Sequence, residues 1–405
     1  MCAVVSEKRG QADDGCCVQR VEKECTGCLA CVAVCPNSAI TQGSNDEEFY
    51  RPELDASRCT GCGACAGACH LMQTCERSAL ESAFAAQSVD VGELLESTSG
   101  GAFRALASSV VRHGGLVCGV VWDEEMRAVH SLTDSMETIR RMSGSKYVQS
   151  LIEESVYAGI GSALASGRRV LFSGLPCQVA AVKSYLAGSP ENLLTVDFPC
   201  YGVPSPGFFA EQISDLKRKL KGRIVDFRFR DKRKNGFSHT TVVEFERPSG
   251  EVSSVTIDDY REIPYHHAFG KCDCFDMPCY DCRYASAERV SDITLDSFWG
   301  IEDVDPSFDA KTGVSMVLTN TRAGNRLWDS VMENFKFSQQ DVQTVIEHNA
   351  GLVQGKELPP ARKEVYAALR SRGFSYVARK FYRLSIPRRI YSRFPILVRI
   401  WRMLK

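Results

Sequence analysis

The sequence predicts an α/β protein in three parts: a small cysteine-rich α+β domain, a central α/β domain with a mostly parallel sheet, and a basic helical tail. Three observations predict it. Eight cysteines near the start form two runs of equal spacing, a strand-helix-strand pattern follows in the middle, and the last residues are rich in Arg. We assign the parts to residues 1–76, 77–356 and 357–405.

Composition limits the class of protein. The chain has 405 residues, 44% hydrophobic and 24% charged, so it can bury a sizeable core and is neither disordered nor collagen-like. Nineteen cysteines, odd in number and bunched in sequence, fit metal ligation better than disulfides. Residues 1–20 do not have the pattern of a signal peptide, and no apolar run is long enough to span a membrane, so we expect a cytoplasmic protein.

The two cysteine runs share the spacing C-x2-C-x2-C-x3-C. Their members are Cys25, Cys28, Cys31 and Cys35 in the first run, and Cys59, Cys62, Cys65 and Cys69 in the second. An iron-sulfur cubane needs four converging soft thiolates, and two-residue gaps let a turning backbone aim three of them inward. Structural zinc is the alternative, but eight cysteines in this rhythm exceed what a zinc site needs.

These runs resemble a bacterial-type ferredoxin with two [4Fe-4S] clusters. The resemblance implies that the fourth cysteine of each run serves the other cluster. One cluster would then take Cys25, Cys28, Cys31 and Cys69, and the other Cys59, Cys62, Cys65 and Cys35. His70 stands where the second run usually has proline, a departure that affects a turn more than a ligand. Cys2, Cys16, Cys17 and Cys75 lack partner spacing and are interpreted as incidental thiols.

The segment between the runs, residues 41–57, is predicted to form a hairpin and loop. Farther along, a helix is predicted over residues 78–96, which are rich in Ala, Glu and Leu, and a second helix runs from the turn at 99–103 to about residue 113. Residues 116–122 are predicted to form a strand. The small-residue turn before the second helix exposes N–H groups that suit a phosphate, although such turns are also plain helix caps.

Residues 169–197 read as a strand, a turn, a helix and a second strand, which predicts a βαβ unit with parallel strands. One cysteine follows the carboxyl end of each strand, where open α/β sheets bind their ligands. A C-x2-C pair farther along would complete a third four-cysteine site, whose members are Cys177, Cys200, Cys279 and Cys282. Buried core thiols, a zinc site, and competition from Cys272 and Cys274 are the open alternatives.

Six short segments follow one another along the chain: GGAF at 100–103, SKYVQS at 145–150, GLPCQ at 174–178, CYGVPSP at 200–206, CYDC at 279–282, and SDITLDSFWG at 291–300. In this order they resemble the family of coenzyme F-420 hydrogenase/dehydrogenase beta subunits, in the bacterial form that carries an amino-terminal ferredoxin domain. The resemblance extends over roughly residues 25–320.

The resemblance implies an FAD- and iron-sulfur-dependent oxidoreductase that exchanges electrons with a two-electron carrier, which in archaeal relatives is the deazaflavin coenzyme F-420. It implies that the central four cysteines hold a third [4Fe-4S] cluster. A flavin suits a place between one-electron clusters and a two-electron carrier. The residues expected around the flavin are Ser99, Gly100, Gly101, Lys146, Tyr147, Gly174, Asp292, Thr294, Asp296, Trp299 and Gly300; no catalytic residue is assigned. A surface lysine and a core tryptophan are the alternatives for Lys146 and Trp299.

The fused ferredoxin domain favours a stand-alone reductase over a component of a hydrogenase. The acceptor therefore stays open between the deazaflavin and an unidentified bacterial molecule, such as an intermediate of polysaccharide synthesis, and a redox protein is a further expected partner. One rival hypothesis is an electron-carrier module without its own substrate. A second is an iron-sulfur regulator that binds nucleic acid, which is disfavoured because no recognised binding motif accompanies the basic charge.

The tail is strongly basic. Residues 361–405 contain thirteen Lys and Arg against one acid, Glu364, so a segment of charge +12 follows a body of charge −13. Within residues 396–405, cations recur every three positions opposite an apolar face. This pattern suits peripheral binding at the inner face of an anionic membrane. Docking on an acidic partner or on the protein's own body, or a merely solvated face, are the alternatives.

Overall fold

The computed structural model describes residues 16–384. The strands are β1 Ile40–Ser44, β2 Tyr50–Leu54, β3 Ser82–Ser88, β4 Leu116–Trp122, β5 Ala128–Thr133, β6 Val170–Ser173, β7 Leu193–Asp197, β8 Arg223–Arg228, β9 Thr241–Glu246, β10 Val252–Ile257, β11 Ile293–Ser297, β12 Ser315–Thr319 and β13 Phe335–Gln340.

The α-helices are α1 Cys17–Arg20, α2 Ala30–Ala33, α3 Ala64–Ala68, α4 Val91–Glu96, α5 Ala102–Arg112, α6 Met136–Met142, α7 Glu154–Ala165, α8 Pro176–Tyr185, α9 Pro206–Leu220, α10 Pro264–Gly270, α11 Ile301–Val304, α12 Arg322–Asp329, α13 Val342–His348, α14 Arg362–Arg372 and α15 Phe374–Phe381. Short 3-10 helices span Tyr260–Glu262, Met277–Cys279, Ala310–Thr312, Met332–Asn334 and Ala350–Leu352.

The central sheet has eight strands in the order β13-β3-β12-β11-β7-β6-β4-β5. The neighbours β4, β6, β7 and β11 are parallel, whereas β5 on one side and β12, β3 and β13 on the other pair antiparallel. The predicted βαβ unit is confirmed as β6-α8-β7. The sheet as a whole is mixed rather than mostly parallel, because the antiparallel strands enclose a parallel centre of four.

Strand β3 corrects the helix predicted over residues 78–96. Its alanines, Ala83, Ala85 and Ala86, are fully buried, and the strand pairs with both β12 and β13. Both faces of β3 are covered, so small side chains fit there and tertiary packing overrides the helical propensity of alanine. Only the end of the predicted segment is helical, as α4.

The amino-terminal domain confirms the predicted hairpin. Strands β1 and β2 pair antiparallel, with Ile40 opposite Leu54. The short helices α2 and α3 each carry one cysteine of the two runs, Cys31 and Cys65, and both thiols are buried. The two helices thus bury one cysteine of each run, whereas Cys59 and Cys62 of the second run are exposed.

A second sheet, which the sequence analysis did not predict, is antiparallel in the order β10-β9-β8. It shares an aromatic core with α9, α10, α14 and α15, in which Phe208, Phe229, Val365 and Phe374 are buried. The first part of the predicted tail therefore packs on the body. The amphipathic pattern of residues 396–405 lies outside the described residues. Across residues 16–384, no helix has the length and apolar character that crossing a bilayer requires.

Candidate redox site

The first four-cysteine group lines one cavity of the amino-terminal domain. Its members are Cys25, Cys28, Cys31 and Cys69. Backbone amides of Gly27 and Ala30 point at the sulfurs of Cys25 and Cys28, although burial still raises the pKa of the Cys25 thiol to about 11. Gly27 has φ +67°, and a Cβ there would lie 2.1 Å from the Tyr50 carbonyl oxygen, so only glycine fits.

The second group lines a separate cavity, and its members are Cys35, Cys59, Cys62 and Cys65. The amide of Ala39 donates to the Cys35 sulfur at 3.2 Å. Cys59 and Cys62 are exposed, whereas Cys65 is buried. The two groups are those that the ferredoxin resemblance implies. Soft thiolates with nearby backbone amides are the donor set that an iron-sulfur cluster requires.

Two thiols that the sequence analysis interpreted as incidental lie against these groups. The sulfurs of Cys16, Cys17 and Cys65 are within 4.8 Å of one another, and Cys16 Sγ is 3.7 Å from Cys65 Sγ. Hydrogen bonding from Cys17 lowers the pKa of Cys65 to about 5 and that of Cys69 to about 7. Cys16 and Cys17 precede the motif without any spacing signal, so only the fold reveals their position.

The amino-terminal domain is held on the body by polar contacts. The Gln149 side chain accepts from the Tyr50 amide at 2.7 Å and donates to the Thr26 carbonyl at 3.1 Å. A partly buried ion pair joins Arg51 to Asp276 at 2.6 Å. The first four-cysteine group is thereby fixed against the central domain.

The third group gathers at the carboxyl edge of the parallel strands. Cys177 lies in the first turn of α8 after β6, Cys200 follows β7, and the pair Cys279 and Cys282 comes from the loop after α10. Burial raises the pKa of Cys177, and the neighbouring charges of Cys200, Cys282 and Cys28 raise it further. Cys28 belongs to the first group, so the first and third groups are neighbours.

Cys272 and Cys274 lie apart from the third group. The strongest electrostatic neighbours of Cys274 are Asp273 and Cys272, and the side chain sits in the aromatic core. The carbonyl oxygens of both cysteines accept tyrosine hydroxyls, Tyr280 at Cys272 and Tyr366 at Cys274. The charges that act most strongly on Cys279 are those of Asp276, Cys200 and Cys177, and neither Cys272 nor Cys274 is among them.

A buried ion pair holds two loops of the third group. Arg289 Nη2 lies 2.9 Å from Asp197 Oδ2, and neither side chain is more than 1% exposed. The same guanidinium donates to the carbonyl of Phe198 at 3.3 Å and to that of Tyr284 at 3.4 Å. These carbonyls lie two residues from Cys200 and two residues from Cys282, so Arg289 sets the spacing of their loops.

The turn expected near a flavin phosphate lies at the same edge of the sheet. Gly100 approaches β3 and β12 so closely that a Cβ would lie 2.0 Å from the Ala86 carbonyl oxygen. Gly101, at φ +97°, caps the eleven-residue helix α5. The Ser99 hydroxyl donates to the Val314 carbonyl, and Lys232 Nζ donates to the Ser99 carbonyl at 2.6 Å.

Lys146 and Tyr147 come from the loop after α6. Lys146 Nζ donates to the carbonyls of Arg141 and Gly144, and burial lowers its pKa to about 8. Tyr147 stacks on Phe269 with ring centroids 4.5 Å apart. The neighbouring Ser145 amide donates to Thr98 Oγ1 at 2.9 Å, which joins this loop to the glycine turn.

Three residues expected around the flavin make contacts within the protein: two form hydrogen bonds, and the third packs closely against an aromatic ring. Asp292 accepts from the Thr195 amide and hydroxyl and from the Thr321 hydroxyl. The Thr294 hydroxyl donates to Asp197 at 2.6 Å. A Cβ on Gly174 would meet the Phe172 ring at 2.9 Å. The hydrogen bonds of Asp292 and Thr294 therefore join β11 to β7, and Gly174 packs closely against Phe172.

Asp296 lies near the end of β11, and Trp299 and Gly300 follow that strand. Asp296 and Trp299 lie near a residue that the sequence analysis missed, Arg230. The Arg230 guanidinium lies 4.8 Å from the Trp299 ring centroid, and its Nε is buried with no hydrogen-bond partner among residues 16–384. Asn349 donates to Asp296 Oδ2 at 2.7 Å, and Gly300, at φ +75°, caps α11. The only signal for Arg230 was the basic stretch after β8.

The fold and these cysteine groups define an iron-sulfur electron-transfer oxidoreductase. Residues 167–344 match the family model that describes the carboxyl-terminal part of the beta subunit of coenzyme F420 hydrogenase/dehydrogenase, and residues 24–71 match a 4Fe-4S dicluster domain. These two matches agree with the resemblance: residues 167–344 are similar to the carboxyl-terminal part of coenzyme F420 hydrogenase/dehydrogenase beta subunits, and residues 24–71 to 4Fe-4S dicluster domains.

Two similar proteins come from Methanosarcina species. The F subunit of the F(420)H(2) dehydrogenase of Methanosarcina mazei is 24% identical over 330 residues, which cover 78% of this chain and 84% of the relative. A structure of the F420-reducing [NiFe] hydrogenase complex from Methanosarcina barkeri aligns with 17% identity and a TM-score of 0.41, covering 73% of this chain and 89% of that one.

Replacing Arg289 with Met tests the buried ion pair. The change leaves the Asp197 carboxylate buried without its counter-charge, so we expect a loss of about 3–5 kcal/mol in the free energy of unfolding. Urea unfolding followed by circular dichroism measures it. The exposed Arg223–Glu246 pair supplies the control, because Arg223→Met should cost less than about 1 kcal/mol. Equal stability of the two variants would show that the pair does not hold the loops.

Proposed function

We propose that this chain is an iron-sulfur flavoprotein that passes electrons between two ferredoxin-type [4Fe-4S] clusters, a third cluster in the central domain, FAD, and a two-electron carrier. The observation that carries the proposal is the convergence of four cysteines from three separate loops, Cys177, Cys200, Cys279 and Cys282, beside Cys28 of the first group. Core thiols placed by chance have no reason to meet at the ligand-binding edge of the sheet.

When bound, the clusters supply one-electron transfer and the flavin links it to two-electron chemistry. The chain's own contribution is to hold thiolates in fixed positions. Hydrogen bonds from backbone amides and a buried position tune such thiolates and exclude water. In the third group, Arg289 ties the loops of Cys200 and Cys282 to the sheet.

The flavin proposal is supported by a cation and aromatic rings at one place. The buried Nε of Arg230 is a donor that no acceptor in the described part of the chain takes up, and the guanidinium lies over both Trp299 and Phe237. A cation suits a flavin phosphate or the negative charge of a reduced ring, and the indole offers a face for stacking. The glycine turn at Gly101 adds the amino end of α5, which favours phosphate.

The electron carrier is proposed by analogy with the relative from Methanosarcina mazei, whose name describes a dehydrogenase of F420H2. This chain would exchange electrons with a deazaflavin of that kind or with an unidentified bacterial acceptor, such as one in polysaccharide biosynthesis. A redox protein that meets the ferredoxin domain would be the other partner. Binding to an anionic membrane through the tail stays part of the proposal.

Counting iron tests the third cluster. Anaerobically purified protein should contain about twelve iron and twelve sulfide per chain, since three cubanes hold four of each. Cys177→Ser should lower the count by about four, because serine oxygen is a harder and poorer ligand for iron than a thiolate. Iron and sulfide assays on the same preparation give the result.

Cys272→Ser is the matched control, because Cys272 lies in the same loop region but apart from the group. It should keep about twelve iron. A native protein with about eight iron, unchanged by Cys177→Ser, would exclude the third cluster.

Flavin extraction tests the other half of the proposal. We expect one non-covalent FAD per chain, and we expect Arg230→Leu to weaken FAD binding about tenfold or more, since a buried charged donor is lost. Titration of the deflavinated protein with FAD, followed by flavin fluorescence, measures the affinity. Arg223→Leu, at the opposite end of β8, should leave it unchanged. FMN or no flavin in the native protein would overturn the FAD proposal, and a flavin-free protein would favour the electron-carrier module instead.

A further inference from the structure

His70 lies between the first and third cysteine groups. It directly follows Cys69, takes the place where ferredoxin runs usually have proline, and is 1% exposed. Its Nδ1 lies 2.6 Å from the Tyr284 hydroxyl, and its Nε2 lies 3.0 Å from Thr26 Oγ1. Both ring nitrogens therefore have partners, and proline at this position would supply neither contact.

The two partners belong to opposite sides of the domain boundary. Thr26 follows Cys25, so one end of the contact stays within the first group. Tyr284 follows Cys282 by two residues, so the other end reaches the third group. The Tyr284 carbonyl is in turn held by Arg289 at 3.4 Å. Hydrogen bonds thus lead from the loop of Cys25, through His70, to the loop of Cys282.

Other contacts hold the domain independently of His70. The Tyr157 hydroxyl donates to the Cys28 carbonyl at 2.8 Å, Gln149 donates to the Thr26 carbonyl, and Arg51 pairs with Asp276, all without involving the His70 side chain. Loss of the histidine contact would therefore leave the domain docked. Its effect would be confined to how the two cysteine groups are held relative to each other.

We propose that His70 and Tyr284 form a bridge that positions the first cysteine group against the third and so sets the coupling between the clusters they hold. The inference rests on the proposed third cluster. The bridge itself would gain and lose no electron, because the clusters held by the two cysteine groups would supply the one-electron transfer. Polar groups around metal ligands commonly orient them in this way. His70 and Tyr284 are positioning residues.

The test uses full-length holoprotein purified anaerobically. Tyr284→Phe removes one hydroxyl from the bridge, and His70→Pro restores the usual ferredoxin residue and removes both contacts. Tyr366→Phe is the matched control, because this buried hydroxyl donates to the Cys274 carbonyl away from all three groups. Each protein is assayed for iron, for magnetic interaction between reduced clusters by electron paramagnetic resonance, and for amide hydrogen exchange in residues 69–71 and 282–286.

We expect Tyr284→Phe to keep about twelve iron, to show a weaker magnetic interaction, and to exchange these amides about fivefold faster, as the loss of one hydrogen bond predicts. His70→Pro should show the same changes, and Tyr366→Phe neither. About twelve iron with an unchanged interaction and unchanged exchange in Tyr284→Phe would overturn the bridge and leave the proposed function standing. About eight iron in the unmodified protein would overturn the third cluster and the bridge together.

Discussion

The buried ion pair between Asp197 and Arg289 is the constraint on which the central site depends. A buried carboxylate needs a counter-charge, and this one also accepts the Thr294 hydroxyl. The Arg289 guanidinium has further N–H groups, which donate to the loop carbonyls of Phe198 and Tyr284. These two loops carry Cys200 and Cys282 of the third group. The ion pair that neutralises Asp197 at the end of β7 therefore also determines where these two thiols lie.

A similar use of charge holds the ferredoxin domain. Arg51 pairs with Asp276 beside the loop of Cys279, and Arg362 of α14 pairs with Glu47 of the β1–β2 hairpin. Polar contacts of this kind depend on direction, so they fix orientation more tightly than an apolar surface of equal area would. Orientation matters here because Cys28 must face the third group while the exposed thiols of the second group face solvent.

The sequence predicted what depends on local spacing. The two cysteine runs, the β6-α8-β7 unit and the strand β4 follow from periodicity and turn residues within a few positions. It mispredicted β3, because an alanine-rich strand covered on both faces looks like a helix when its neighbours in space are unknown. It also missed the positions of Arg230 and Cys17, because the residues that each contacts, Trp299 and Cys65, are distant in sequence.

The three cysteine groups differ in their exposure to solvent, so the two ends of the site are not equivalent. Cys59 and Cys62 of the second group are exposed to solvent, and Cys28 of the first group is an electrostatic neighbour of Cys177 at the edge of the central sheet. Farther along this edge, the Arg230 guanidinium and the partly exposed indole of Trp299 lie beside the glycine turn. In the proposed enzyme a partner protein meets the exposed second group, whereas the small-molecule carrier meets the opposite end. The two reactants are thereby kept apart, and electrons pass between them only through the chain's own cysteine groups.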